Sequence, residues 1–338
     1  MPECEKCAES AGKGYGFCIS CGNPLDPKPK GSTLAAAIKI IGVFVMFACA
    51  AMLFFESYAV FWGMNDILTN IHGVRIFVLT PSPAILTTLT GVAAKVYYVL
   101  IAVAAIASFA VLLYMSRDGI KGVMKKDLEK VADTPLYGVA TLFVAVVSFN
   151  FIFNMVVSAF GNTPTVPGAG GPPWTEWFSL LYAAVWEEVL CRVLMIGLPV
   201  ALIGLLLKEK GSWKRLFGRF EVDGTAVVFI LAASLIFAYA HLSEWDVFKL
   251  APTFVSGLAL GYLFVKYGVY ASIMLHLLIN YLSSVDWVIG GELSDLILGL
   301  FIMMTILLGV LFLAWYAVSG LKGVKRIVSD KKPPETVP

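Results

Sequence analysis

Residues 177–207 read WFSLLYAAVWEEVLCRVLMIGLPVALIGLLL, a run whose only charged side chains are Glu187, Glu188 and Arg192. An α-helix rises about 1.5 Å per residue, and about 20 apolar residues cross the hydrocarbon core of a bilayer. This run is long enough to do so. Apolar stretches of the same kind recur at about 34–55, 92–114, 135–160, 225–241, 251–267, 270–290 and 296–318. Together they predict an all-α polytopic membrane protein of about eight transmembrane helices. Composition agrees: 59% hydrophobic against 14% charged residues over 338 positions, with a mean hydropathy of +0.83, is far from a soluble domain. A net charge of +2, with Lys and Arg scattered along the chain, leaves no basic face to follow a phosphate backbone, so nucleic acid is not an expected partner.

Short loops rich in Lys and Arg stay on the cytoplasmic side of a membrane. Four lysines precede the first apolar run, and five Lys and Arg lie in each of 115–134, 208–224 and the tail after 318. The intervening loops hold Arg75, Lys249 or no such residue. This alternation predicts an integral membrane protein with both termini cytoplasmic.

Four of the six cysteines, Cys4, Cys7, Cys18 and Cys21, crowd into CEKCAESAGKGYGFCISCG with the spacing C-x2-C-x10-C-x2-C. Two such knuckles place four thiolates where they can close a tetrahedron around zinc. So short a segment cannot bury a core, and metal binding would supply most of its folding energy. A structural zinc is therefore expected in a ribbon over 1–24. A Pro-, Lys- and Gly-rich linker follows over 25–33, then a transmembrane core over 34–320 and a cytoplasmic tail over 321–338.

Ionisable groups inside spanning helices cost about 2.5–3.5 kcal/mol each on insertion scales, so each needs a partner or a task. Glu188 and Arg192 are four residues apart and share a helix face, where the carboxylate neutralises the guanidinium. Glu187 points about 100° away from that pair. Two of the three histidines in the chain also fall in apolar runs: His241, with Phe237 one turn before it, and His276, with Asn280 one turn after it. A carboxylate, two imidazoles and an amide on three helices suit acid–base chemistry.

Glu187-Glu188-x-x-x-Arg192, Phe237-x-x-x-His241 and His276-x-x-x-Asn280, in that order, resemble the motifs of the CPBP family, the type II CaaX prenyl proteases and their bacteriocin-processing relatives. FVSGLALGYLFVKYGVYASIMLHLLIN (254–280) also resembles that family's helix 6–helix 7 hairpin. The likeness covers roughly residues 175–285, within a motif-bearing part over 175–290. It implies intramembrane peptide-bond hydrolysis by a glutamate-activated water, without a catalytic metal, in a cavity open to the cytoplasmic side. CaaX-type C-terminal processing is one form this takes. The residue types fit: Glu187 as general base, His241 orienting the same water, His276 and Asn280 donating to the oxyanion, Glu188 and Arg192 fixing the helix.

Other readings stay open. Two carboxylates and two imidazoles are ordinary zinc ligands, although no H-E-x-x-H is present. A non-catalytic scaffold or immunity-type protein of the same fold would use the ribbon to recruit a cytosolic protein. A proton-coupled transporter would use the carboxylates as a relay. The protease reading implies a peptide or protein substrate, lipidated in the CaaX case, met within membrane lipid. One inconsistency follows from the expected boundaries: Glu187, His241 and His276 fall at different depths unless the turn near Gly268 is embedded or the 177–207 helix is longer. Gly257-x-x-x-Gly261 is expected to mark close helix packing.

Overall fold

Apolar residues that run all round a helix, rather than along one stripe, have to be buried among other helices or in lipid. That rule sets the architecture of the computed structural model, which describes residues 4, 6–12, 15, 17–23, 33–79, 82–162, 171–243 and 245–329. The expected linker, apart from Thr33, lies outside them, as does the last part of the tail. The chain divides into two compact units, 1–40 and 41–338.

In the first unit, helix α1 (Lys6–Gly12) starts within the first cysteine knuckle. The rest of the chain is mostly helical. Helix α2 (Thr33–Asn70) leads into a hairpin, β1 (Gly73–Leu79) and β2 (Pro83–Thr90), and then α3 (Gly91–Met124), α4 (Leu128–Ala132) and α5 (Pro135–Ala159). Helix α6 (Pro173–Glu188) widens into a π-helix (Val189–Gly197) and continues as α7 (Leu198–Leu206). After a 3-10 turn (Ser212–Phe217) come α8 (Gly224–Ala240), α9 (Leu250–Tyr267), α10 (Val269–Asn280), α11 (Ser284–Val288) and α12 (Gly291–Ser329). Six helices are long and apolar enough to cross a membrane, with α8 and α10 as shorter companions. This is an integral, multi-pass membrane protein.

Helix ends follow local chemistry. Thr134 caps α5, its Oγ1 accepting from the Tyr137 amide at 3.3 Å, with Pro135 in the first turn where no donor is missed. Asp223 caps α8 in the same way, accepting from the Ala226 amide at 2.8 Å.

The expectation of an all-α chain needs one amendment. The 64–91 loop holds an antiparallel ladder pairing Gly73 with Thr90 and Leu79 with Pro83, with a bulge that leaves Leu86 unpaired. β-branched and aromatic residues in VRIFVL and AILTTLT favour extended backbone.

The 270–290 run is also not one helix. Helix α10 ends at Asn280, a turn over Tyr281–Ser283 follows, and α11 starts afresh at Ser284. At 12 residues α10 is about 18 Å long and does not reach across a bilayer. It is instead the central helix. All residues from Ala271 to Leu278 are buried, and it packs against α3, α5, α6 and α9. Gly268, at φ +113°, makes the tight corner into it from α9, a conformation that favours glycine. That corner is covered by the strand-like segment after Phe217, where the Arg219 and Phe220 amides donate to the carbonyls of Phe264 and Val265 at 3.3 and 2.9 Å. The turn near Gly268 is thus covered by protein.

Helices α8 and α9 approach closely at the G-x-x-x-G pair. A Cβ on Gly257 would lie 2.9 Å from Ser234 Cβ, and one on Gly261 2.9 Å from Ile230 Cγ2. Below them Ile196, Ile230, Phe264 and Val265 form a dry core that fixes the π-helix against α8 and α9.

Candidate active site

Glu187 and Glu188 stand at the end of α6, where the helix widens. A π-helical stretch is rare and marks functional positions, and Pro199 contributes to it, because its missing N–H leaves a carbonyl upstream without its helical donor. An aromatic ladder holds this helix in place: Phe178 and Tyr182 stack at 5.7 Å, Tyr182 and Trp186 at 6.5 Å, and Tyr97 of α3 meets both Tyr182 and Trp186 edge-on. The Tyr182 hydroxyl donates to the Arg75 carbonyl at 2.9 Å, and the Trp186 indole donates to the Phe77 carbonyl at 3.0 Å. The hairpin is therefore fastened to the turns that precede the carboxylates.

Glu188 is fully buried and has three partners. Its Oε1 meets His276 Nδ1 at 2.9 Å, its Oε2 accepts from Ser272 Oγ at 2.6 Å, and Arg192 Nε lies 3.1 Å from the same oxygen. Neutralisation of Arg192 inside the helix is thus only part of what Glu188 does, because it also ties α6 to α10. Arg192 is equally buried, and its guanidinium carbon stands 5.2 Å over the Phe237 ring. The guanidinium nitrogens have no hydrogen-bond partner among the described residues; Nε is close to Glu188 but out of line with it.

The second nitrogen of His276, Nε2, lies 3.8 Å from Glu187 Oε2. Glu187 keeps some exposure, 17% of its side chain against 0% for Glu188. Of the two carboxylates it is the less buried. His241, just past the end of α8, places Nδ1 2.8 Å from the Phe237 carbonyl. A carbonyl accepts only, so Nδ1 carries the proton and Nε2 presents its lone pair. Phe237 separates the two imidazoles, edge-on to His241 at 4.7 Å and to His276 at 6.1 Å. The Asn280 amide donates to the Leu180 carbonyl across a long 3.4 Å, again linking α10 to α6.

All six residues singled out in the sequence thus lie on α6 with its π extension, the end of α8, and α10, and Glu187, Glu188, Arg192 and His276 form one connected group. One further residue belongs with it: Ser272 lies four residues before His276 on the same face of α10, a spacing that could have found it. Lys249, set aside as the lone cation of an outer loop, folds back over Trp245, its Nζ 3.7 Å from the centre of the indole ring.

The amino-terminal cysteines also converge. Cys4 Sγ lies 3.5 Å from Cys7 Sγ and 3.6 Å from Cys18 Sγ, Cys7 lies 3.6 Å from Cys21, and all four sulfurs fall within 4.8 Å of one another. Four sulfurs at about 2.3 Å from one zinc would stand about 3.8 Å apart, so the set fits that ion and is consistent with a zinc ribbon. All four are free thiols. Backbone N–H groups of Cys21 and Ser20 point at the Cys18 sulfur and hold its thiol down at about 6. Gly22, at φ +71°, closes the second knuckle.

Among curated proteins and among solved structures, none matches the chain. Residues 170–282, which carry all six site side chains, match the family described as Type II CAAX prenyl endopeptidase Rce1-like. Over these residues, about a third of the chain, the sequence is similar to the Rce1-like type II CAAX prenyl endopeptidase (CPBP) family, and that likeness implies a membrane protease.

Proposed function

We propose that this protein is an intramembrane endopeptidase in which Glu187 activates a water molecule. The observation that carries the reading is one imidazole shared by neighbouring carboxylates: His276 Nδ1 at 2.9 Å from Glu188 and Nε2 at 3.8 Å from the more exposed Glu187. Glu187 takes a proton from water while the oxygen attacks the peptide carbonyl. The lone pair on His241 Nε2 holds the same water. Charge on the tetrahedral oxygen is met by N–H groups of Asn280 and His276. The proton held by Glu187 passes to the leaving amine, and the C–N bond breaks. Glu188, Ser272 and Arg192 set the orientation of His276. No catalytic metal is needed in this scheme.

The substrate is a peptide or protein, and a lipidated one suits the surroundings. An open groove of about 550 Å3 between α8 and α9, lined by Leu235, Tyr239, Leu250, Phe254 and neighbours, offers an almost wholly apolar wall. We further propose cytoplasmic termini, on the charge asymmetry of the loops, and the division into ribbon (1–24), linker (25–33), core (34–320) and tail (321–338). The ribbon would hold one structural zinc and offers a surface for a cytosolic protein partner.

The test is cleavage of prenylated and unprenylated peptides by purified wild type and Glu187→Gln, with and without a chelator. Loss of a general base lowers the rate by about 10²–10⁴-fold, so Glu187→Gln should fall by at least the lower figure. Chelation and Cys4→Ser/Cys7→Ser should remove one zinc per chain, measured by elemental analysis, and leave cleavage in place. Cleavage that is lost with the metal, or that survives Glu187→Gln, would sink the scheme.

A further inference from the structure

We infer that the open edge of strand β2 takes up an extended segment of the substrate backbone as a third strand, level with Glu187. This rests on the peptidase reading and adds to it how the peptide is held.

Strand β1 runs alongside α6 in the same direction. Its Arg75 carbonyl accepts from Tyr182 at 2.9 Å and its Phe77 carbonyl from Trp186 at 3.0 Å, one helical turn further on. Two residues of strand and four of helix both advance about 6–7 Å, so the two elements stay in step. Val78 and Leu79, which follow in β1, come level with Glu187 and the residues after it. Their ladder partners, Ala84 and Pro83, open β2 at that same level.

The register also says which backbone groups of β2 are free. In an antiparallel ladder, a residue whose carbonyl points away from the partner strand stands opposite one that likewise turns its N–H and C=O outward. Opposite Arg75 and Phe77 are Thr88 and Ile85. The sheet has only these two strands, and among the described residues none pairs with the outward groups of Ile85 and Thr88. Every residue of β2 except Leu89 is exposed, and PAILTTLT carries no charge. Proteins usually guard an edge with charged side chains, an internal proline, a bulge or a covering helix. Here the bulge at Leu86 is the one such device, and Ile85 and Thr88 keep their outward groups on either side of it.

Helix α6 belongs to a membrane-spanning segment, and an open sheet edge is not tolerated against hydrocarbon. The edge has to meet water or another backbone. A row of donors and acceptors, flanked by the exposed side chains of Ile85 and Leu86, fits an extended apolar peptide, whose own N–H and C=O groups need partners in the same surroundings. A third strand would lie two strand spacings, about 10 Å, from β1. It therefore holds residues that flank the scissile bond and not the bond itself.

The test uses full-length protein in lipid nanodiscs and the peptide of the prenylated and unprenylated set that wild type cleaves best. Thr88→Pro removes one outward N–H and leaves the ladder to β1 whole. KM should rise by about two- to tenfold, the worth of one hydrogen bond, and the loss should not lie in kcat. The same peptide, N-methylated at one residue at a time, should show a raised KM at every second position of its flanking segment, because an extended chain turns alternate N–H groups to one side. Hydrogen exchange over 83–90 should slow when the peptide is added to Glu187→Gln protein, which leaves it uncleaved. If Thr88→Pro loosens the hairpin, seen as faster exchange over 73–79, the N-methyl series on wild type decides. A well-folded Thr88→Pro variant with wild-type KM, or N-methyl losses that are absent or fall on consecutive positions, overturns the inference and leaves the peptidase reading standing. Correctly inserted wild type that cleaves no peptide of the set overturns the peptidase reading, and the inference with it.

Discussion

His276 lies between the two carboxylates of one helix, its Nδ1 2.9 Å from Glu188 and its Nε2 3.8 Å from Glu187. Adjacent residues on a helix diverge by about 100°, so a single side chain can meet both only if it enters between them from a neighbouring helix. Helix α10 supplies it. Glu188 accepts the Nδ1 proton and thereby decides what Nε2 presents to the cavity.

Glu188→Gln tests this directly. An amide fills the same volume but replaces a charged acceptor by a neutral one, so the His276 ring is held less firmly and its donation to the oxyanion weakens. Removing one such donor costs about 10²–10³ in kcat, and kcat for Glu188→Gln should fall by about that range with little change in KM. Steady-state kinetics on a prenylated peptide would measure it. An effect confined to KM would show that Glu188 serves substrate binding instead.

Arg192 makes a second prediction, on stability. It is fully buried with Glu188 as its ion-pair partner, so Glu188→Leu strands a guanidinium in the interior. Breaking a buried pair in this way costs about 3–5 kcal/mol, whereas removing both charges is far less costly. Thermal unfolding in detergent should therefore rank Glu188→Leu well below Glu188→Leu/Arg192→Met. Additive losses in the two variants would mean that the charges do not depend on one another. The double variant should remain inactive, because His276 has lost its acceptor.

Much of this was legible in the sequence, for reasons that can be traced to individual residues. Charged residues in apolar runs are so costly that Glu187, Glu188 and Arg192 stood out at once, and the spacing of four between Glu188 and Arg192 survives even where the helix widens to π. What escaped depends on tertiary contact. No local pattern says that Glu188 reaches across to His276 and Ser272, or that α10 stops at Asn280 although apolar residues continue. The hairpin escaped for another reason: against a background of 59% hydrophobic residues, VRIFVL and AILTTLT do not stand out as strands. Lys249 looked like an ordinary loop cation because the turns folding it over Trp245 are set by Asp246 and by His241.

The hairpin provides the third prediction. Carbonyls of Arg75 and Phe77 point away from β2 and are bonded by Tyr182 and Trp186, so aromatic side chains occupy the edge of β1. Each hydrogen bond contributes about 0.5–1.5 kcal/mol net. Tyr182→Phe removes one bond and keeps the ring, and Trp186→Phe removes the other. Hydrogen exchange of the amides over 73–90 should quicken by about two- to tenfold in each variant, with α10 unaffected. Exchange that stays at the wild-type rate would mean that the hairpin is held by its apolar face alone.

Glu56 supports a fourth. It was not among the residues the sequence reading singled out, yet it lies in the middle of α2 on a buried stripe with Cys49, Leu53, Val60 and Ile67, each fully or almost fully hidden. Neither carboxyl oxygen has a hydrogen-bond partner among the described residues. Gly63, two turns further on, packs so closely on Trp177 that an added Cβ would stand 2.9 Å from the indole, leaving α2 no freedom to turn the carboxyl outward. A buried polar group without a partner costs about 1–3 kcal/mol, and an apolar group of similar shape avoids it. Glu56→Leu should therefore raise the unfolding midpoint in detergent, while Glu56→Gln, which keeps two polar atoms in the same place, should not. If instead Glu56→Leu lowered stability or slowed peptide cleavage while Glu56→Gln did neither, the carboxyl would have a hydrogen-bonding task that its amide can perform, and Tyr281, which is buried and directly follows Asn280, would be the first residue to test as the receiver.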